Sequence, residues 1–235
     1  MKAFLLAAGN GTRLRPLTDR TPKCLLPIRG VPILEIWLHA CKNFGIDEVL
    51  VNLHAHADEV RRFLEKQPKG IRVHIAEEPE LLGSAGTLRA NREWVAGEDF
   101  WVLYADVLNS VDLDAMNRVH RKRKPAATLG LYRVPDPSRC GIVSLDSNGI
   151  IQEFVEKPQH PKGNLAFSGL MIGTQQLLEV IPNETPVDIG FHVLPRLCGR
   201  MLGYPVKDYL IDIGTIETYN IAQDTWPGLH QPAAL

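Results

Sequence analysis

The chain has 235 residues, of which 45% are hydrophobic, 26 are Lys or Arg and 27 are Asp or Glu. This length and composition suffice for one large α/β domain with a sizeable core. A net charge of −1 excludes a general field that could hold a nucleic-acid backbone or an anionic membrane surface. Any anion-binding site must therefore rest on a few local cations.

The cysteines and the N-terminus bear on the compartment. Cys24, Cys41, Cys140 and Cys198 are scattered without Cys-x-x-Cys spacing, which argues against a zinc ribbon or a disulfide framework. Only Lys2 precedes the first apolar run and glycines follow it, which is not the pattern of a signal peptide. No stretch approaches the length of a membrane span. We therefore expect a cytoplasmic protein without a membrane segment.

The chain opens on an apolar run at 3–8, which predicts a buried strand, and continues into Gly9-Asn10-Gly11-Thr12-Arg13. The two glycines let the backbone turn sharply, so that N–H groups can face an anion, while Thr12, Arg13 and Lys23 add a hydroxyl and two cations. The loop lacks the third glycine of the dinucleotide fingerprint and the Gly-Lys-Ser/Thr ending of the P-loop. A polyphosphate is the expected ligand.

Strand-like and helix-like segments alternate along the chain. Further strands are predicted at 48–53, 71–75, 99–106, 126–133, 140–145, 150–156, 166–172 and 209–215. Helices are predicted at 33–44, 57–67, 86–95, 113–122, 175–181 and 217–226. This order predicts an α/β fold with a Rossmann-like mixed, mainly parallel sheet flanked by helices. We expect a single domain over 1–226 and a frayed tail at 227–235.

Two predicted strands end in carboxylates. Asp106 closes the strand at 99–106, and Asp212 lies in the strand at 209–215. Ligands in open α/β sheets bind beyond the carboxyl ends of the strands, so Asp106 and the glycine loop can share one cleft. Mg²⁺ takes few protein ligands and completes its shell with water and phosphate oxygens. A carboxylate at the end of a strand would suit Mg²⁺ as one of these few ligands.

The segment Leu-Ala-Ala-Gly-Asn-Gly-Thr-Arg-Leu-Arg-Pro-Leu-Thr at 6–18, with Pro22-Lys23, resembles the signature of the sugar-1-phosphate nucleotidyltransferases. These enzymes join a nucleoside triphosphate to a sugar 1-phosphate, release pyrophosphate and have a glycosyltransferase-A-like fold. The resemblance implies that Arg13 and Lys23 hold the triphosphate and the leaving pyrophosphate. It also implies nucleotide-binding roles for Ala8, Gly9, Gly11 and Thr12.

The segment from Glu77 to Leu88 resembles the base-binding loop of that family, with Gly83 and Gly86 as a platform for the base and Thr87 beside them. A carboxylate can accept hydrogen bonds from the N1–H and amino groups of guanine. Glu77 or Glu78 before the proline resembles the guanylyltransferases for mannose or heptose 1-phosphate, whereas thymidylyltransferases tend to carry glutamine there. We take Glu78 as the candidate for nucleotide binding.

The metal and acceptor motifs follow in the family's order. The resemblance assigns Mg²⁺ to Asp106 and Asp212, and the phosphate of the sugar phosphate to Lys157. It assigns the sugar hydroxyls to a glutamate, for which Glu156 is favoured over Glu153. The family's Asn-Ala-Gly is replaced here by Phe167-Ser168-Gly169, and phenylalanine cannot supply the asparagine's hydrogen bonds. Either Ser168 or Asn164 substitutes for it near Gly169, or the sugar is bound differently.

The sequence thus predicts a Mg²⁺-dependent enzyme whose partners are a nucleoside triphosphate and a sugar 1-phosphate, with neither nucleic acid nor membrane. GTP with mannose or heptose 1-phosphate is favoured. Enzymes using UTP or dTTP, and a non-catalytic subunit that binds nucleotide sugars, remain alternatives. Family members are often dimers or tetramers, so a homo-oligomer is compatible with the resemblance.

Overall fold

The computed structural model describes residues 1–66 and 70–229. Its strands are Lys2–Leu6 (β1), Pro27–Ile28 (β2), Val31–Pro32 (β3), Glu48–Leu53 (β4), Arg72–Glu77 (β5), Phe100–Tyr104 (β6), Val107–Asn109 (β7), Ala127–Arg133 (β8), Gly141–Leu145 (β9), Ile151–Glu156 (β10), Leu165–Gly173 (β11), Met201–Pro205 (β12) and Leu210–Asp212 (β13). Its α-helices are Ile33–Asn43 (α1), Ala57–Leu64 (α2), Ser84–Ala90 (α3), Leu113–Arg123 (α4), Gln175–Glu179 (α5) and Ile216–Thr225 (α6).

The chain forms two compact units, which we call the first and the second unit. Of the described residues, the first unit comprises 1–66, 70–81, 103–112 and 208–229, and the second comprises 82–102 and 113–207. The predicted boundary between 1–226 and the tail stays a prediction, and residues 230–235 of that tail lie outside the described residues. Residue 67, the predicted last residue of the second helix, also lies outside them.

The first unit is built on parallel strands. β4 pairs in parallel with β1 and with β5, and Leu6 lies opposite Asn52 in the first of these ladders. All but the first residue of β4 are buried, the near-continuous apolar pattern of a parallel strand covered on both faces. On α1, Leu34, Trp37 and Cys41 lie at helical spacing and are at most 2% exposed. The predicted helix and strands of this region are confirmed.

The second unit is mainly antiparallel in its pairing. β9 and β10 form the predicted hairpin around Asp146 and Gly149, with Glu156 opposite Gly141. β11 pairs with β8 in antiparallel fashion, and β12 pairs with β8 in parallel. The predicted α/β class with a mixed sheet and flanking helices is confirmed. In the described residues no helix is both long enough and apolar enough to span a membrane.

Several elements differ from the prediction. The helix expected at 86–95 consists of α3 followed by a separate 3-10 turn, Arg92–Val95. The strand expected at 209–215 is shortened to β13 because Gly214 and Thr215 belong to the turn that begins α6. Thr215 forms a capping box with Thr218, which fixes the start of that helix.

Candidate active site

The glycine loop follows β1 and folds back on the chain that comes after it. Gly11 adopts φ 61°, and a Cβ added there would lie 2.9 Å from Thr18 Cγ2 and 3.2 Å from Lys23 Cβ. The Thr18 hydroxyl donates to the Gly11 carbonyl oxygen at 2.8 Å. Glycine is therefore required at this position both by backbone conformation and by space.

Asn52, at the end of β4, secures the start of that loop. Its side-chain oxygen accepts hydrogen bonds from the backbone N–H groups of Ala7 (2.7 Å) and Ala8 (3.3 Å). Asn52 is only 4% exposed. The predicted nucleotide-binding residue Ala8 therefore has its own N–H engaged within the protein. The sequence-based hypothesis missed Asn52, whose signal is a single amide side chain in an apolar strand.

Glu78 is hydrogen-bonded to the same asparagine. The Asn52 side-chain N–H donates to Glu78 Oε1 at 2.9 Å, and the Glu78 carbonyl oxygen lies 2.8 Å from His54 Nδ1. Glu78 is buried, with 3% of its surface exposed. One buried asparagine thus connects the predicted base-reading carboxylate to the amides that open the glycine loop.

A cleft lies beside the loop in the first unit. Its lining includes Gly9, Asn10, Thr18, Lys23 and His54. Binding of a polyphosphate in this cleft stays a prediction.

Lys23 and Asp106 form an ion pair in the same unit. Lys23 Nζ lies 2.6 Å from Asp106 Oδ2, and the lysine side chain is 11% exposed. Asp106 follows β6, whose end is held to β1 by a hydrogen bond from Ala105 N–H to the Leu6 carbonyl oxygen (3.1 Å). The structure therefore brings together Lys23 and Asp106, which lie far apart in sequence.

Asp212 lies next to that pair. β13 pairs antiparallel with β7, and Ile213 N–H donates to the Asp106 carbonyl oxygen at 3.0 Å. Burial raises the pKa of the Asp212 carboxyl, the negative charge of Asp106 raises this pKa further, and the charges of Lys23 and Arg13 lower it in part. The two predicted metal ligands are thus close enough to repel one another.

Arg13 packs against the turn after Asp212. A Cβ added at Gly214 would lie 2.9 Å from Arg13 Nη2, and Gly214 N–H donates to Asp212 Oδ1 at 2.6 Å. Gly214 thus leaves space for the guanidinium beside the carboxylate. Both predicted triphosphate cations, Arg13 and Lys23, therefore lie at the two aspartates.

The donor set fits Mg²⁺. In residues 1–66 and 70–229 no group of three or more His, Cys, Asp or Glu side chains is placed to hold a metal ion. Mg²⁺ is commonly bound by one or two carboxylates together with water and substrate phosphates, so two aspartates suffice. A cation between Asp106 and Asp212 would relieve the repulsion that raises the pKa of Asp212.

In the second unit, the predicted base platform begins at Gly83. This residue adopts φ 80°, and an added Cβ would collide with the Val187 backbone, whose carbonyl carbon would lie 2.8 Å away. The Val187 carbonyl oxygen accepts hydrogen bonds from Ala85 N–H (3.0 Å) and Gly86 N–H (3.2 Å). Thr87 is fully buried, and its hydroxyl donates to the Gly83 carbonyl oxygen at 3.3 Å. The glycines thus permit close backbone packing here.

Asp188 organises the next turn, and the sequence-based hypothesis missed it. Its carboxylate accepts hydrogen bonds from Ser84 Oγ (3.0 Å), Gly190 N–H (2.8 Å) and Phe191 N–H (3.3 Å). It caps the single π-helical turn Ile189–Val193. An aspartate immediately before a glycine-containing turn is the only sequence signal for this role.

Glu156 and Lys157 lie at the end of β10. Lys157 Nζ is 3.8 Å from Glu156 Oε1, and the lysine adopts φ 47°. Burial raises the pKa of the Glu156 carboxyl, the charge of Asp188 adds to this rise, and Lys157 opposes it. The lysine side chain is 56% exposed, so its charge is available to a ligand.

The residues predicted to replace the family's asparagine lie in different environments. Asn164 is exposed, and its side-chain oxygen accepts a hydrogen bond from Arg133 Nη1 at 2.6 Å. Ser168 is 3% exposed, and its hydroxyl oxygen accepts a hydrogen bond from Leu170 N–H at 3.3 Å. Gly169, at φ 79°, lies where the pairing of β11 with β8 is irregular.

The fold agrees with comparisons to known proteins, whereas the roles of these residues stay predictions. The nucleotidyl transferase family model matches residues 2–226, and the chain therefore belongs to that family. The chain is 34% identical over 221 residues to the mannose-1-phosphate guanylyltransferase catalytic subunit beta of Xenopus tropicalis, covering 91% of this chain and 61% of that protein.

A second relative has a different named substrate. The UTP–glucose-1-phosphate uridylyltransferase of Synechocystis is 31% identical over 238 residues, covering 93% of this chain and 61% of the relative. The chain thus spans 61% of the length of these two relatives. A crystal structure of UDP-glucose pyrophosphorylase with UDP-glucose superposes with a TM-score of 0.84 at 20% identity, covering 95% of this chain and 97% of the other, and supports the fold.

Proposed function

We propose that this protein joins a nucleoside triphosphate to a sugar 1-phosphate, giving a nucleoside diphosphate sugar and pyrophosphate. The observation that carries the proposal is the grouping of Arg13, Lys23, Asp106 and Asp212 in one unit with the glycine loop. This arrangement combines cations for phosphate oxygens with carboxylates for a divalent metal. The family membership of residues 2–226 supports the same reaction class.

The chemistry needs no general base from the protein. An oxygen of the sugar phosphate, already ionised at neutral pH, attacks the α-phosphorus and forms a new P–O bond. The bond from the α-phosphorus to the bridging oxygen breaks, and pyrophosphate leaves with the electron pair. Catalysis then depends on positioning and on stabilising the charge that develops, roles that we assign to Arg13 and Lys23.

Asp106 and Asp212 would hold Mg²⁺, which would supply charge neutralisation on the phosphates. In this scheme Lys23 exchanges part of its interaction with Asp106 for the phosphates of the substrate. Its low exposure and its 2.6 Å ion pair keep the ammonium group oriented before substrate binds. The protein would therefore position this cation at little entropic cost during binding.

On the acceptor side we assign the sugar phosphate to Lys157 and the sugar hydroxyls to Glu156. The lysine is exposed and the neighbouring carboxylate is largely buried, at 15% exposure of its side chain. An exposed cation suits a phosphate, and a carboxylate in a partly dry environment forms stronger hydrogen bonds to hydroxyls than one in water.

For the base we favour guanine, with mannose or heptose 1-phosphate as the acceptor. In this assignment the N1–H and amino groups of guanine would donate to the Glu78 carboxylate, which is 3% exposed and accepts a hydrogen bond from Asn52, so the groups that cover it would have to give way to the base. The relative from Xenopus tropicalis, a mannose-1-phosphate guanylyltransferase, supports this choice. The relative from Synechocystis keeps a uridylyltransferase as the second candidate. We place the reaction in the cytoplasm because the scattered cysteines suit a reducing compartment.

One assay tests the proposal. Pyrophosphate release is measured for the four ribonucleoside triphosphates and dTTP, each with mannose, heptose, glucose and N-acetylglucosamine 1-phosphates, with Mg²⁺ and with EDTA. We expect Mg²⁺-dependent release, fastest with GTP. Release with UTP or dTTP alone would overturn the guanine assignment. Nucleotide-sugar binding without release from any pair would overturn catalysis in favour of a non-catalytic binding subunit.

A further inference from the structure

An exposed aromatic ring lies beside the proposed acceptor lysine and has no role in the scheme above. Phe191 is 51% exposed, the highest value among the large hydrophobic side chains of the described residues. Its ring centroid lies 5.4 Å from Lys157 Nζ. Single exposed apolar residues are common on surfaces, so exposure alone carries no functional meaning.

Four hydrogen bonds fix the backbone that carries this ring. Asp188 accepts hydrogen bonds from the N–H groups of Gly190 and Phe191, at 2.8 and 3.3 Å. The Asp188 N–H donates to the ring nitrogen Nδ1 of His192 at 2.9 Å, and Ile189 N–H donates to Ser84 Oγ at 2.8 Å. The protein therefore holds a solvent-facing aromatic residue on a turn that is capped by Asp188 and hydrogen-bonded to Ser84 and His192.

The same turn is packed directly against the proposed sugar carboxylate. A Cβ added at Gly190 would collide with the Glu156 carboxylate, whose Cδ would lie 2.8 Å away. Glycine at position 190 thus allows the Phe191 turn to approach Glu156. The result is a cation, a carboxylate and an aromatic face, contributed by Lys157, Glu156 and Phe191, within one small surface region of the second unit.

These three groups match the chemistry of an aldopyranose 1-phosphate. A phosphate binds a lysine, hydroxyls donate to a carboxylate, and the polarised C–H groups on one face of a pyranose are attracted to the electron-rich face of an aromatic ring. The sugar ring is joined to its phosphate through a single oxygen, so a phosphate held at Lys157 brings the ring within reach of Phe191.

We propose that Phe191 is the stacking platform for the acceptor sugar and that Asp188 is the positioning residue that holds this platform. The proposal rests on the assignment of the acceptor phosphate to Lys157. It adds the substrate class: a sugar phosphate with a closed ring that has an apolar face, rather than any phosphomonoester. Phe191 would then supply recognition that the absent asparagine supplies in other family members.

The test separates ring binding from phosphate binding. For Phe191→Ala we expect the KM for the sugar 1-phosphate to rise about five- to tenfold, while the KM for the triphosphate stays within about twofold. Phe191→Trp should retain a KM close to that of the wild type. Ile221→Ala, which truncates another exposed apolar side chain (44% exposed) on α6, serves as the matched control and should change neither KM.

Glycerol 3-phosphate, which carries a phosphate but no sugar ring, is the second probe. As a competitive inhibitor it should have the same inhibition constant with Phe191→Ala as with the wild type. An active Phe191→Ala enzyme with an unchanged sugar-phosphate KM would overturn the proposal and leave the proposed function intact. A substitution that alters only the molar mass measured by light scattering would also overturn the proposal, because Phe191 would then be a subunit contact. Wild-type protein that releases no pyrophosphate would instead overturn the proposed function.

Discussion

The glycine-loop region of the first unit and the acceptor region of the second unit hold their charged residues in opposite ways. Lys23 is 11% exposed and paired with Asp106 at 2.6 Å, whereas Lys157 is 56% exposed and lies 3.8 Å from Glu156. In the first region Lys23 and Asp106 orient one another, and Asp212 accepts a hydrogen bond from Gly214 N–H. In the second, an exposed cation and an exposed ring face the solvent. We infer that the first region is built for charge stabilisation and the second for recognition.

The strongest test of this contrast is removal of the buried lysine. Lys23→Ala should lower kcat about 10²- to 10³-fold, because a preorganised cation would be lost from the charge that develops in the transition state. Pyrophosphate release under saturating substrates measures the effect. Lys42→Ala, which removes an exposed lysine from the last turn of α1, is the control and should keep wild-type kcat. A kcat within about threefold of the wild type for Lys23→Ala would contradict the catalytic assignment.

The bracing by Asn52 predicts the next largest effect, on stability. In the wild type the Asn52 side-chain nitrogen lies 2.9 Å from Glu78 Oε1. The substitution Asn52→Asp keeps an oxygen that can accept from the Ala7 and Ala8 amides, but it replaces that nitrogen by a carboxylate oxygen facing the buried Glu78 carboxylate. We expect a loss of about 2–3 kcal/mol in the free energy of unfolding, measured by urea denaturation at neutral pH.

A double variant at the same two positions restores the hydrogen bond between them, with residue 78 as the donor and residue 52 as the acceptor. In Asn52→Asp combined with Glu78→Gln, the new amide can donate to the new carboxylate, and most of the lost stability should return. If the double variant is as unstable as Asn52→Asp alone, the pair does not carry the bracing. Its nucleotide preference is a second readout, since a glutamine at position 78 removes the carboxylate assigned to guanine.

Removal of Lys157 should have a smaller effect than removal of Lys23, and this effect should fall mainly on KM rather than on kcat. Lys157→Ala should raise the KM for the sugar 1-phosphate about tenfold with less change in kcat, because an exposed cation contributes mainly to ground-state binding. Lys162→Ala, which removes a lysine that is 84% exposed and pairs with Glu153, should leave kinetics unchanged. Equal losses in kcat for Lys157→Ala and Lys23→Ala would remove the distinction between the two regions.

Much of the fold could be predicted from the sequence because its signals are local. Asp146 and Gly149, between two segments of alternating apolar and polar residues, predict the hairpin of β9 and β10. The buried residues of β4 are nearly all apolar, which predicts a strand. β12 was missed because Gly203 and Pro205 weaken its strand pattern. Its parallel pairing with β8 depends on tertiary packing that no short window contains.

The site divides in the same way. The roles assigned to the glycine loop and to the two aspartates stay predictions. These residues could be named from the sequence because the motif of the loop is long and specific and both aspartates follow apolar strand residues. Asn52 and Asp188 could not, because each acts by accepting hydrogen bonds from backbone N–H groups, and no periodicity or spacing identifies an acceptor. Phe191 was missed for a related reason: its exposure follows from the capped turn that presents it.

The smallest predicted effect concerns a buried histidine in the second unit. His120 is 1% exposed, with Nδ1 lying 2.7 Å from Thr128 Oγ1 and Nε2 lying 3.4 Å from Asp99 Oδ2. Burial lowers the pKa of His120, although the Asp99 carboxylate partly opposes this. The folded state therefore holds the neutral imidazole more strongly than the unfolded chain does.

The sign of the pH dependence follows from this lowered pKa. Above the unfolded-state pKa of about 6.5 both states are neutral at His120 and its contribution to stability is fully present. As the pH falls below this value, the unfolded chain takes up the proton first, and the free energy of unfolding should fall by less than about 1.4 kcal/mol per pH unit. Urea denaturation between pH 7.5 and 5.5 measures this slope. The substitution His120→Gln should reduce this slope, whereas the control His160→Gln, at an exposed position, should leave it unchanged. Identical slopes in the wild type and both variants would show that His120 has the same protonation in the folded and the unfolded state.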